Sequence, residues 1–318
     1  MLCAKAKRGT PVGSVRIRAK CNRREVPIDP AALGLQVAGP PGPAGADGQL
    51  RIYGDGSAGP RTVTGDETLE DANRQYTDFT VGAGVTLTVP SGTVIRCTGQ
   101  FVNNGTIVVG TASPGAKEAV RNSTIDSTYQ PPGQGVALTA AARGELGPAG
   151  NFYFGGFGGI GLTATQARSI LQPGVSAGGG GACGVFAGGD GGGGGAGGVV
   201  VLASKARVDN RGVLSAKGGA GGANGTSDGP GGGGGGGIVH LLAPVIDDSG
   251  VVAVDGGSAG PLTATKAVGL RAGGGAGGSC GGGGGAGGSV SSDDSAQSAA
   301  PGGVGHALKT QVDPTALF

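Results

Sequence analysis

About one residue in four of this chain is glycine, 77 of 318, and the glycines are bunched into runs at 178–198, 218–237, 256–260 and 273–288. A glycine inside a helix costs about 1 kcal/mol relative to alanine, because it has the most backbone freedom to lose and no side chain to pack. A helical fold is therefore not expected, which leaves strands, turns and extended polyproline-II-like segments. Charged residues make up 14% of the chain and aromatics 3%, with no Trp, so an ordinary globular core is not expected either. The net charge is only +2, too little to resist compaction.

Between the glycine runs lie short stretches rich in Val, Ile and Thr, punctuated by Gly, Pro and Asn-Gly. In the least glycine-rich part these are 50–53, 61–64, 79–81, 85–89, 93–97, 100–102 and 106–109, and later 199–203, 238–243 and 251–254. Their length, composition and punctuation predict strands, with Asn104-Gly105 supplying a tight turn. Two internal matches show a repeat. Val199-Val200-Val201-Leu202 leads to Asp209-Asn210-Arg211-Gly212-Val213 as Ile238-Val239-His240-Leu241 leads to Asp247-Asp248-Ser249-Gly250-Val251. Leu162-Thr163-Ala164-Thr165 is echoed by Leu262-Thr263-Ala264-Thr265. The expected fold is all-β: β-solenoid-like or stacked β-hairpin modules interleaved with glycine-rich polyproline-II (polyglycine-II) segments, with very little helix.

Four segments are expected. Residues 1–38 form a basic attachment arm in which 12–20 alternates like an edge strand. Residues 39–48 keep a Gly-X-Y period, GPPGPAGADG, as a collagen triple helix or an extended linker requires. Residues 49–150 form a β-rich domain, and residues 151–318 a glycine-rich repeat domain with interleaved strands. The N-terminus carries no apolar run of roughly 7 to 15 residues, so a secretory signal is not expected, and the apolar stretch near 238–246 is far too short to span a membrane. The balanced charge gives no reason to expect nucleic acid.

Glycine runs can be flexible linkers, but these are poor in Ser and charge, are tied to apolar strands, and recur in matching modules. An ordered alternative exists. Polyproline-II helices have three residues per turn and no internal hydrogen bonds, so every N–H and C=O points outward and neighbouring helices satisfy one another. Close packing of that kind requires Gly wherever two backbones touch.

The runs GGGGACGVFAGGDGGGGGAGG and RAGGGAGGSCGGGGGAGGSV resemble the polyglycine-II adhesins of phage tail fibres over about residues 151–288. The basic arm followed by a collagen-like stretch resembles virion-attached phage fibres. The resemblance implies a structural virion fibre, spike or decoration protein: a homotrimer assembled in the host cytoplasm, held to other virion proteins by its N-terminal segment and exposing a surface for a host glycan or protein. Snow-flea-type antifreeze proteins share the polyglycine texture. The competing expectations are a bacterial cell-surface adhesin or extracellular filament subunit, and an ice-binding protein, for which a regular Thr face is missing from the sequence.

No enzymatic chemistry is expected. His240 and His306 are the two histidines, and neither has a triad context. The Gly-x-Ser-x-Gly matches at Ser176 and Ser258 lack the strand-to-helix turn of a nucleophile elbow, and the Gly-x-Gly-x-x-Gly matches lack a βαβ unit. Asp190, Asp247, Asp248 and Asp255 fit no calcium-loop spacing and are expected in turns, so no cofactor or metal is expected. The aromatic cluster Phe152, Tyr153, Phe154 and Phe157 supplies the candidate receptor contacts, with capping of a β-core as the competing role. The five cysteines are odd in number, widely spread and never in C-x-x-C spacing, which argues against zinc and against a disulfide framework within one chain. Cys183 and Cys280, one in each glycine module, are the candidates for an intersubunit disulfide.

Overall fold

The fold is that of a computed structural model, which describes residues 2–7, 10–17, 20–23, 25–28, 52–71, 73–112, 156–174, 191–224, 229–263, 272–290 and 296–311. The chain divides into two compact units, Met1–Ala46 and Asp47–Leu317. The collagen-like 39–48 lies outside the described residues.

The first unit contains an antiparallel sheet of β1 (Leu2–Lys7), β2 (Thr10–Ile17) and β3 (Glu25–Ile28), in the order β2-β1-β3. The alternating stretch is thus an edge strand. Here the expectation of no disulfide within one chain is corrected: Cys3 and Cys21 are bonded, with Cα atoms 5.5 Å apart. Antiparallel pairing sets Leu2 opposite Ile17, so the chain leaving β2 passes beside Cys3. That proximity comes from the pairing and has no trace in the spacing of the cysteines.

Among the described residues the second unit is mostly sheet, with a five-residue helix, α1 (Ala164–Arg168), and helical geometry at Ile52 and Tyr53. Fifteen of its strands form three five-stranded parallel sheets. The first contains β4 (Arg61–Val63), β7 (Phe79–Val81), β10 (Gln100–Asn103), β13 (Arg207–Asn210) and β16 (Val245–Asp248). The second contains β5 (Glu67–Thr68), β8 (Thr86–Val89), β11 (Thr106–Val109), β14 (Val213–Ser215) and β17 (Val251–Ala253). The third contains β6 (Asn73–Tyr76), β9 (Thr93–Cys97), β12 (Val199–Ser204), β15 (Ile238–Leu242) and β21 (His306–Thr310). The chain visits first, second and third sheet in turn and then starts again, one strand further along. No two consecutive strands pair within these sheets, so the hairpin expected at 103–109 is corrected: β10 and β11 belong to different sheets, and Gly105 is not among the glycines with positive φ.

Parallel stacking without a register shift turns each inward residue into a column. One column runs Arg61, Phe79, Phe101, Val208, Ile246; a second Glu67, Leu87, Ile107, Leu214, Val252; a third Arg74, Ile95, Leu202, Leu241, Lys309. Their apolar members enclose one core, in which Phe79 and Phe101 stack at 5.7 Å between ring centroids. The columns begin on charges, with Arg61 and Glu67 paired at 2.6 Å. At the far end Lys309 Nζ reaches Asp248 at 2.8 Å. Charges at the ends of a stack of strands discourage the addition of a further rung.

All the glycine runs leave from one corner, between the second and third sheets. That corner is short in the first two passes (69–72 and 90–92) and long in the next three (110–198, 216–237 and 254–305), whereas the return from third to first sheet always takes two residues: 77–78, 98–99, 205–206 and 243–244. The long corners pack on one another. Residues 229–237 are buried and run through the middle. Gly231, Gly234 and Gly237 donate their N–H groups to Gly222, Gly219 and Ala216; Gly232 and Gly235 to Gly275 and Gly278; Gly233 and Gly236 to Ala300 and Gly303. The carbonyls repeat the pattern, Gly231 and Gly234 accepting from Gly260 and Gly257, Gly232 and Gly235 from Gly194 and Gly197, Gly233 and Gly236 from Gly285 and Gly282. Each neighbour is met at every third residue. A Cβ on Gly234 would fall within covalent-like distance of the Gly195 carbonyl oxygen, so at this crossing only glycine fits.

Candidate functional site

The described glycine segments have a near end at the sheets and a far end. Residues 225–228, 264–271 and 291–295 lie outside the described residues, and the residues flanking them are brought together. Gly274 donates to Gly288, Gly288 to Pro230, and Asn224 to Pro261. Asn224 is buried, and its side-chain oxygen accepts from the Thr263 N–H at 2.5 Å while the Thr263 hydroxyl donates to the Asn224 carbonyl at 2.9 Å. A short antiparallel sheet of β18 (Ala272–Gly273), β19 (Ser289–Val290) and β20 (Ala296–Gln297) closes the same end. The described ends on either side of those three stretches thus meet at one end of one packed bundle.

The outer faces of the sheets differ. The second sheet presents two ladders without a charged residue: Thr86, Thr106, Val213, Val251 and Thr68, Thr88, Val108, Ser215, Ala253. Val251 is 55% exposed. Thr therefore lines three passes of this face, more order than the sequence suggested, before Val and Ser replace it. The first sheet carries Asp209, buried, with Arg207 at 2.5 Å and Arg211 at 3.6 Å. On the outer face of the third sheet, Val199, Ile238 and Leu308 are covered by Ala167 and Ile170, and Ala203 and Leu242 by Ile52 and Tyr53, while β6 at the end of the sheet is exposed at Asn73.

Inside the corner between first and second sheets an amide ladder runs along the stack. Asn103 Nδ2 donates to Asn210 Oδ1 at 2.8 Å, Asn210 Nδ2 donates to Asp248 Oδ1 at 2.7 Å, and the Gly105 N–H donates to Asn103 Oδ1 at 3.2 Å. Asp248 is thus the terminus of a ladder, and Asp255 pairs with Lys217 at 3.1 Å. No group of three or more metal-ligating side chains converges among the described residues.

Of the candidate contacts, Phe152, Tyr153 and Phe154 lie outside the described residues. Phe157 is 45% exposed and Ile160 beside it 69%. Cys183 also lies outside the described residues. Cys280 is a free thiol, 1% exposed, packed with Ala167, Ile170, Val199, Ile238 and Leu308, and burial pushes its pKa up to about 12. Cys97 in the central core is similarly shifted to about 12. Ser258 sits within a glycine segment, not at a strand-to-helix turn. The residues that sequence reasoning passed over are Asn224, Arg168 and Thr310, whose roles depend on partners 39 to 142 positions away.

Comparison of the chain with protein-family models, with curated proteins and with solved structures gives no match in any of the three.

Proposed function

We propose that this chain is a structural virion protein of the phage fibre, spike or decoration type, in which residues 47–317 form a three-sided β-solenoid bearing a polyglycine-II bundle on one corner, and in which the far end of that bundle meets a host-surface glycan or protein. The observation that carries the reading is the hydrogen bonding of residues 231–237, whose three-residue period is that of polyproline II; six neighbouring segments take up every N–H and C=O of residues 231–236. Backbone packing restricts the sequence of such a bundle to glycine and small residues, and the joints 225–228, 264–271 and 291–295, which connect its segments in sequence, are proposed to carry recognition. The Thr86–Val251 face is depleted of charge, as interface cores are, and is the surface proposed to meet neighbouring chains in a homotrimer. The N-terminal unit is proposed to hold the chain to other virion proteins.

Replacing 225–228, 264–271 and 291–295 together by Gly-Ser segments of equal length tests the recognition role. The fold, followed by circular dichroism and by mass in solution, is expected to persist while binding to host cells is lost; retained binding would remove the joints from the function. A mass in solution equal to one chain would remove the trimer.

A specific observation favours a second reading, a bacterial surface adhesin or extracellular filament subunit. The Cys3–Cys21 disulfide is a bond of oxidising compartments. Antibody against the chain separates the two: signal in gradient-purified particles supports the virion, and signal confined to cell-envelope fractions supports the adhesin.

A further inference from the structure

Both histidines of the chain lie on the same interface, between the outer face of the third sheet and residues 156–174. His306 Nε2 is 2.6 Å from the Leu162 carbonyl oxygen. His240, 1% exposed, has Nε2 2.8 Å from the Thr310 hydroxyl. Arg168 of α1 donates through Nη1 to that hydroxyl at 2.9 Å and to the Lys309 carbonyl at 3.2 Å. Arg168 occupies a lone pair of the hydroxyl, so the hydroxyl proton is free to be directed at Nε2. The neutral imidazole then carries its own proton on Nδ1, which has no partner and is buried.

We propose that His240, Thr310 and Arg168 form a pH-sensitive latch that holds residues 163–174, with α1, on the third sheet at neutral pH and releases them on acidification. The chemistry requires a neutral ring. Protonating it places a buried imidazolium one hydroxyl away from the exposed guanidinium of Arg168, with no carboxylate beside it among the described residues. The groups facing His240 from the packed elements are Val201 of β12, Leu308 and Thr310 of β21 and Arg168 of α1; Lys309 Nζ is engaged with Asp248. Arg168 is thus the one charged group acting on the ring among the described residues, and it acts against protonation.

The direction follows from linkage. Burial first, and Arg168 second, lower the pKa of His240 from 6.5 to about 4. The released ring, in water, binds its proton more readily than the latched ring. The latch is therefore at full strength above pH 6.5 and weakens as the pH falls from 6.5 through 4, the open fraction rising by up to about two orders of magnitude. Release uncovers Ala167, Ile170, Ile238 and Leu308, an apolar strip, and with them the thiol of Cys280.

Cys280 makes the latch measurable. In the full chain carrying Cys183→Ser, the rate of reaction of Cys280 with 4,4′-dithiodipyridine, distinguished from that of Cys97 by peptide mass and divided by the rate in urea-unfolded chain at the same pH, is expected to rise more than tenfold between pH 7 and 4.5. In His240→Gln, which keeps a polar side chain but does not titrate, the ratio is expected to stay level. An equal rise in His240→Gln, or no rise in the parent, overturns the proposal. If His240→Gln does not fold, the imidazole titration of His240, assigned with His306→Gln, decides the matter. Labelling that follows that titration supports the latch, and labelling indifferent to it overturns it.

Discussion

The three-sheet prism and the glycine bundle are made from the same chain, yet they are held together in opposite ways. In the prism, columns of identical placement such as Phe79, Phe101, Val208 and Ile246 remove side chains from water. Each large residue contributes about 1.5–3 kcal/mol by burial, and backbone hydrogen bonds fix which residue lies above which. In the bundle there are hardly any side chains to bury. What holds 229–237 to its six neighbours is backbone hydrogen bonding in every direction, at about 1 kcal/mol net per bond, set against the large backbone entropy of glycine. The prism fixes the near end of the described glycine segments at one corner. In one region a missing side chain is the damage; in the other, an added one is.

The contrast can be tested in order of expected effect. Gly234→Val should be the most damaging, costing about 5 kcal/mol or more, because its Cβ meets the backbone carbonyl of Gly195 and a backbone cannot rotate away as a side chain can. Urea unfolding of the purified chain measures it, and a cost below that of a core truncation would mean that the bundle is looser than its hydrogen bonds imply. Phe101→Ala removes a fully buried, stacked ring from the prism and should cost about 3–5 kcal/mol in the same titration. If adding a few carbons at Gly234 proves worse than deleting a ring at Phe101, the two regions obey different rules. Asn210→Ala interrupts the amide ladder between Asn103 and Asp248 and should cost about 1–3 kcal/mol, since it strands buried polar partners; calorimetry would show it as a lowered Tm. Lys217→Ala removes an exposed ion pair with Asp255 and should change stability by less than about 1 kcal/mol, even though it lies in the bundle. A large loss there would show that side chains matter more to the bundle than this contrast allows.

Much of the fold was legible in the sequence for identifiable reasons. Strands at 61–64, 79–81, 93–97, 100–102 and 106–109 were marked by Val, Ile and Thr, and the structure places β4, β7, β9, β10 and β11 there within a residue. The match between Val199-Val200-Val201-Leu202 and Ile238-Val239-His240-Leu241 proves to be a register: the two are neighbouring strands paired residue for residue. A parallel stack without shift writes its pairing into the sequence as a repeat. The stretch 50–53 was misjudged, since Ile52 and Tyr53 lie outside the sheets and cover the third. Strands β5 and β6, with Glu67, Asn73 and Arg74, went unrecognised because the rung that ends a stack carries polar residues where inner rungs carry apolar ones.

The candidate site was far less legible. The aromatic cluster stood out by composition, but Asn224 with Thr263, and His240 with Thr310 and Arg168, involve single polar residues whose partners are remote in sequence and carry no local pattern.

From the sequence alone came the expectation of very little helix, the position of nine of the fifteen strands in the three parallel sheets, the repeat, and the requirement that packed glycine runs meet without side chains, because these follow from local propensity and spacing. Only the tertiary structure decided that every long glycine run leaves from one corner, that Cys3 lies beside Cys21, and that a buried histidine shares a hydroxyl with an arginine. Each of these depends on which distant segments are brought within hydrogen-bond reach, a consequence of how the rungs stack that no single stretch of the chain records.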